Sequence, residues 1–312
     1  LSTKNKWKED GYVIVKNLIN RELINKCSYF MNNHYTEKNV CTDFGSNNHE
    51  LEFPSNTILD KLYINENIIK SVQKLLNTKN ILLTQADAWS KSGNNKIRSN
   101  GNQRIHMDYG NHTFLHINDW DEPEAVAMII YLSDIKETGG GTAVVKRLGK
   151  NDELYKKPYI NMPGQANYDF YNDKEKAETY FKSIDVNIYN FRQKLYQREI
   201  ITQPSIGDIL FYRLDTWHRG TPVLPGKIRN VINLVWKKRD CYWIQQWNIG
   251  FTKKMYDGVL EKIFVEMTPL QRSVFGVPMP GDKYWTIDKV KLLISRYPNI
   301  NIKPYIISIS KL

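Results

Sequence analysis

At 312 residues, with 41% hydrophobic and 12% aromatic side chains, the chain has enough apolar material for a substantial core, which excludes wholesale disorder. No run of about eighteen apolar residues occurs, so no transmembrane helix is expected, and the polar opening LSTKNKWKEDGYVIV lacks the layout of a secretory signal. The net charge of +11 suits a nucleic-acid or other acidic partner, but the lysines are scattered without a like-charge block, as abundant Lys, Asn and Ile throughout an AT-rich coding sequence would produce.

Residues 6–33 read as a short strand, YVIVKNL, followed by a helix that Asn20 can cap. The polar stretch 36–56 reads as loop, and 57–77 as one or two further helices. Cys27, Cys41 and Cys241 form no CxxC pair, so neither a disulfide framework nor a thiolate zinc site is expected; a reducing, cytoplasmic compartment is the expectation. From about residue 80 the period changes. ILLTQADAWSK alternates Gln85, Asp87, Trp89 and Lys91 on one face with Thr84, Ala86, Ala88 and Ser90 on the other. AVAMIIYLSDI is nearly continuous in apolar residues, as in a strand buried on both faces. GTAVVKRL after the Gly139–Gly141 turn, GDILFYRL and IRNVINLVWKK complete a set of short strands. Asp208, beside Gly207, reads as a turn residue before its strand.

The segment 150–200 is polar, charged and Tyr-rich. It reads as an insertion ending in one helix, KSIDVNIYNFRQKLYQRE, which could form a rim or lid. After 241 the pattern turns helical again, with KKMYDGVLEKIFVEM and TIDKVKLLISRYP, the second capped by Thr286. These elements predict one α+β unit over 1–312 with a mainly β core. An N-terminal strand and helices occupy 1–80, the core 80–240 with its insertion, and a helical extension 241–312.

The stretch RIHMDYGNH carries the chemistry. Residues i and i+2 of a strand project from one face, so His106 and Asp108 can reach one ion. A third ligand must come from another strand. His218, in GDILFYRLDTWHRGTPVLPGKIRN, stands at the end of a strong strand. Two imidazoles and one carboxylate on one octahedral face leave three open positions, which suits non-haem Fe(II). Arg229 follows in the next strand, and an antiparallel return brings it back to the level of His218. Its forked guanidinium suits a carboxylate, such as the far carboxylate of 2-oxoglutarate.

IHMD, GDILFYRLDTWHRGTP and IRNVINLVW, with the opening EDGYVIVKNLINRELI, resemble the phytanoyl-CoA dioxygenase-like group of Fe(II)/2-oxoglutarate oxygenases over about residues 9–240. The resemblance implies a double-stranded β-helix, a cupin-like jelly-roll, with iron at its open mouth. It implies His106, Asp108 and His218 as iron ligands, Arg229 as the 2-oxoglutarate anchor, and O2 as the second cosubstrate. The implied reaction is hydroxylation of a C–H bond with release of succinate and CO2. Asp108 fills the position that related halogenases give to a small residue, so hydroxylation rather than halogenation is implied. The strand of Gln85 and Trp89 lines the cosubstrate pocket in that family; either residue could touch 2-oxoglutarate or serve packing and cross-strand pairing instead. Tyr131 and Asn233 carry weaker signals of the same kind. Tyr109 and Trp217 flank the ligands, where they shape the substrate cavity or pack. The family's Pro-Gly-Ser-His turn is replaced by Lys-Arg-Leu-Gly-Lys, a departure on the substrate side. The expected substrate is a small molecule or acyl compound, with a nucleic acid or protein as the other option.

Three competing readings remain. A non-catalytic binding module on the same fold, for nucleic acid given the charge, would show strongly salt-dependent affinity without 2-oxoglutarate turnover. His112 and His116 could share a helical face as zinc ligands, but HTFLHIND lacks the glutamate that hydrolysis needs. Gly139–Gly141 is followed by no GxxxxGK[ST] or GxGxxG pattern, so a turn fits it better than a phosphate cradle.

Overall fold

The protein is described by a computed structural model over residues 2–36, 51, 53, 55, 57–94, 100–108, 115, 122–156, 170–241, 264–266, 268–269, 272 and 277–310. Most of the loop expected at 36–56 and most of the helix expected at 253–267 lie outside these residues.

A helix that periodicity does not announce, α1 (Thr3–Asp10), opens the fold. Trp7 is its one buried residue, so it has no apolar stripe to read; Ser2 caps it and Gly11, at φ 86, ends it. Strand β1 (Tyr12–Val15) leads into α2 (Arg21–His34), whose Asn20 cap accepts the Glu22 N–H at 2.7 Å. The region 57–77 forms two helices, α3 (Asp60–Tyr63) and α4 (Glu66–Leu76), the second capped by Asn65.

The core follows as β2 (Ile81–Ser92), β3 (Ala125–Tyr131), the single turn α5 (Ile135–Thr138) and β4 (Thr142–Val145). The single helix expected at the end of the insertion is in fact two, α6 (Lys174–Ile184) and α7 (Val186–Arg198). Asp185 divides them because its carboxylate accepts the Asn187 N–H at 2.7 Å, a cap that competes with helix continuation. Then come β5 (Glu199–Ile201), β6 (Ile209–Tyr212), β7 (His218–Gly220) and β8 (Ile228–Lys238). Helices α8 (Ile287–Arg296), capped by Thr286 as expected, and α9 (Lys303–Ile309) close the chain.

The strands form two antiparallel sheets, a larger one ordered β1-β6-β3-β8-β2 and a smaller one ordered β5-β4-β7. β3 is buried on both sides, in keeping with its unbroken apolar run. Val126, Met128 and Ile130 face the N-terminal helices, joining Met31, Ile68 and Val72 in one cluster. Ala127 and Tyr131 point the other way, into a second cluster with Trp89, Val231 and Val144. From that second face, side chains cross to the elements of the smaller sheet: the Tyr131 hydroxyl lies 2.8 Å from Thr142 Oγ1.

The insertion docks beside the segment 102–106 through main-chain bonds. Lys174 N–H donates to Asn102 O at 2.8 Å and Arg104 N–H to Tyr171 O at 3.0 Å. Both polar groups of Ile105 are then met by side chains of α7. Its N–H donates to the Tyr196 hydroxyl at 3.0 Å, and Arg192 Nη2 donates to its carbonyl at 3.1 Å. Glu178 on α6 holds both partners, taking three bonds from Arg192 and one from Tyr196. Arg192 is fully buried, so this charge is tolerable only because the carboxylate is there.

Candidate functional site

His106 and His218 face each other across an isolated antiparallel bridge. His106 N–H donates to His218 O at 2.9 Å, and His218 N–H to His106 O at 2.8 Å. The expectation of a full strand through His106 and Asp108 needs correcting: only His106 pairs, and Asp108 sits in a turn. The i, i+2 spacing nevertheless brings both side chains to one point. Ligand atoms of His106, Asp108 and His218 lie within 4.8 Å of one another. Asp108 Oδ1 is 3.7 Å from His106 Nε2 and 3.5 Å from His218 Nε2.

Each imidazole is oriented by the backbone two residues earlier. His106 Nδ1 lies 3.1 Å from Arg104 O and His218 Nδ1 lies 2.9 Å from Thr216 O. A carbonyl can only accept, so each Nδ1 donates to it and each Nε2 is the ring nitrogen left on the side of Asp108. Burial above all, helped by His218, holds His106 well below the ordinary imidazole value, with Asp108 opposing. It is therefore neutral, as a metal ligand must be. Ligand bonds of about 2.1 Å at right angles would separate donors by about 3.0 Å, close to the 3.7 and 3.5 Å from Asp108 Oδ1 to the two imidazoles. Two imidazoles and one carboxylate, with no thiolate near them among the described residues, suit Fe(II).

Tyr212, unassigned from sequence, completes this centre. Its hydroxyl donates to Asp108 Oδ2 at 2.7 Å, which leaves Oδ1 facing the histidines. Burial, reinforced by the Asp108 carboxylate, raises the phenol well above its usual value, so it remains a donor. Tyr212→Phe is expected to weaken Fe(II) affinity by about tenfold, the loss typical of a partner that orients a ligand; calorimetric titration under anaerobic conditions measures it.

A second group of charges lies on the inner face of the larger sheet. Lys91 and Arg229 are cross-strand neighbours, Lys91 on β2 and Arg229 on β8. Arg229 Nη1 donates to Gly140 O at 2.8 Å, while its Nε is sealed from solvent without a hydrogen-bond partner. The alternative of a solvent-exposed strand cation is thus not what the fold provides. Gly140 adopts φ 71, and a Cβ there would approach Arg229 Cδ to 3.1 Å and Val223 Cγ2 to 2.7 Å, so only glycine lets the guanidinium pass. Lys91 Nζ donates to Thr221 O at 3.0 Å. Burial first, then the charges of Arg229 and Arg219, push this lysine well below its usual value; burial lowers Arg229 as well. Among the described residues no carboxylate pairs with either cation. Lys91 is buried and Arg229 half-buried, and an anionic ligand would relieve the cost of holding two basic groups side by side there.

Gln85 and Trp89 both turn to Asp87, a buried carboxylate between them. Gln85 Nε2 donates to Asp87 Oδ1 at 2.8 Å, and the Trp89 indole N–H donates to Oδ2. The cross-strand partner of Asp87 is Asn233. Trp217 is wholly buried with its indole N–H on Leu154 O at 2.8 Å, which is packing. Gly139 and Gly140 make the expected turn at φ 69 and 71. Asp208 is a turn residue whose Oδ2 accepts the Ser205 N–H at 2.9 Å, after Gly207 at φ 90. Tyr109, His112 and His116 lie outside the described residues.

Sequence reasoning passed over Tyr212, Lys91, Asp87 and Tyr171, whose hydroxyl meets His106 Nε2 at 2.9 Å. Lys91 had a signal, because it shares the inward alternation of Gln85 and Trp89. Tyr212 alternates with Leu210 in the same way. Tyr171 had none, since its place depends on the pairing of the insertion with segment 102–106.

No family model and no curated protein sequence matches the chain. Solved structures do. The epimerase SnoN in complex with Fe3+, alpha ketoglutarate and nogalamycin RO has a TM-score of 0.53 at 13% identity, covering 80% of this chain and 87% of that one. The non-heme alpha ketoglutarate dependent carbocyclase SnoK from nogalamycin biosynthesis has a TM-score of 0.52 at 12% identity, covering 81% and 90%. EctD from S. alaskensis in its apoform has a TM-score of 0.52 at 11% identity, covering 80% and 81%. At these identities the likeness is one of fold: the chain is built on the fold that SnoN, SnoK and EctD share.

Proposed function

We propose that this protein is an Fe(II)- and 2-oxoglutarate-dependent oxygenase of the phytanoyl-CoA dioxygenase-like type, hydroxylating a C–H bond of a small molecule. The convergence of His106 Nε2, Asp108 Oδ1 and His218 Nε2 in one buried cluster carries this reading. In it, the two sheets are the halves of a double-stranded β-helix within a single oxygenase domain. Bound iron, with 2-oxoglutarate and O2, would supply an oxidant able to take hydrogen from an unactivated carbon as the oxo acid is converted to succinate and CO2.

The chain's own residues prepare that chemistry. Arg104 O and Thr216 O hold the Nδ1 atoms, so Nε2 of each ring would be the nitrogen that takes the metal. Tyr212 keeps its proton on Asp108 Oδ2 and leaves Oδ1 as the ligand atom. Arg229, with Lys91 beside it, would receive the far carboxylate of 2-oxoglutarate and fix which end of the diacid meets the metal. Gln85 and Trp89 act on the cosubstrate pocket through Asp87, whose carboxylate they hold. A triad together with Arg229 and Lys91, which have no carboxylate partner among the described residues, is more than a binding module on this fold requires, which weighs against the non-catalytic alternative. SnoN and SnoK are named an epimerase and a carbocyclase, so fold alone does not select the outcome of the oxidation. Hydroxylation is proposed because Asp108 closes the position a halide would need.

Anaerobic addition of Fe(II) and 2-oxoglutarate is expected to produce the weak visible charge-transfer band of the chelate, and air is expected to release succinate. Absence of both overturns the reading.

A further inference from the structure

The Tyr171 hydroxyl lies 2.9 Å from His106 Nε2. His106 Nδ1 already donates to Arg104 O, so the imidazole is the tautomer with a single lone pair, on Nε2. Tyr171 therefore donates to that lone pair. A metal ion at the triad needs the same electrons. The two bonds exclude each other, and Tyr171 cannot keep this contact once His106 is a ligand.

The contact is built rather than incidental. Tyr171 is 3% exposed, and its carbonyl accepts the Arg104 N–H at 3.0 Å, which ties its backbone to the segment bearing His106. Its ring stands 4.8 Å from the His106 ring and 5.8 Å from the Arg104 guanidinium. The next residues, Asn172 and Lys174, bond Gln103 and Asn102, so residues 171–174 are registered on the metal segment.

We propose that Tyr171 is a metal-loading latch: its hydroxyl satisfies His106 Nε2 in the metal-free protein and is displaced when a divalent ion binds. This rests on the reading of His106, Asp108 and His218 as a metal site. The latch spares the buried nitrogen from being left unsatisfied before loading, and it lowers metal affinity by the worth of one hydrogen bond.

The test titrates Co(II), without cosubstrate and without oxygen, against a chromophoric chelator for the wild type, Tyr171→Phe and His106→Ala. The wild type is expected to bind one equivalent and His106→Ala to lose it. Tyr171→Phe keeps the ring and removes only the competing donor, so it is expected to bind Co(II) roughly 2- to 10-fold more tightly. In metal-free protein with 15N-labelled histidine, the same substitution shifts the His106 Nε2 resonance. Unchanged or weaker Co(II) affinity in Tyr171→Phe overturns the latch while leaving the metal site standing. Failure of the wild type to bind Co(II) overturns both.

Discussion

Alanine at His106, Asp108 or His218 is expected to abolish the anaerobic band of the Fe(II)–2-oxoglutarate chelate and to cut succinate formation by more than about 100-fold, since partners that merely orient a ligand already cost 10- to 100-fold. The reason lies in the number of donors. With three protein ligands the ion keeps an octahedral face; with two it has no fixed orientation and its affinity falls steeply. The three substitutions should behave alike because the donors surround one point, within 4.8 Å of one another. The variants must remain folded, which circular dichroism checks. An undiminished band in all three would remove the ion from this site.

Arg229→Met is expected to raise the apparent 2-oxoglutarate constant by about 30-fold or more, the cost of removing one partner from an enclosed charge pair. Fe(II) binding without cosubstrate should be unchanged, which separates the anchor from the metal site. Arg229→Lys should rescue little: Gly140 leaves room for a flat guanidinium that spends one Nη on the Gly140 carbonyl and presents the rest of its fork. A second ammonium beside Lys91 would meet the same desolvation that already depresses Lys91. Titrating 2-oxoglutarate in a succinate-release assay, with metal affinity measured in parallel, gives both numbers.

Much of this was legible in the chain itself. β2, β3 and β8 appear directly as alternation or as an unbroken apolar run, because their burial is set by which faces the two clusters cover. His106, Asp108 and His218 could be joined because His-x-Asp needs only two extended residues, and His218 closes a strand with clear turn signals. What stayed hidden has physical causes. α1 buries one tryptophan and so has no stripe. Asp185 reads as an ordinary polar residue within a helical pattern until its carboxylate is seen capping α7. Lys91 shares a strand face with Gln85, Asp87 and Trp89, but a lysine normally ends in solvent, so its burial is not legible there. Tyr171 and Glu178 owe their roles to long-range docking, for which no local periodicity exists.

The clasp on Ile105 changes how this protein could be re-engineered. In an ordinary sheet, the strand next to a ligand is held by a ladder that tolerates almost any sequence. Here the neighbour's hydrogen bonds come from a phenol and a guanidinium on α7, locked by the Glu178 carboxylate on α6. Exchanging the 150–200 segment for another sequence would also strip the support from beside His106. A replacement that carried over Glu178, Arg192 and Tyr196 would leave the ligand in register.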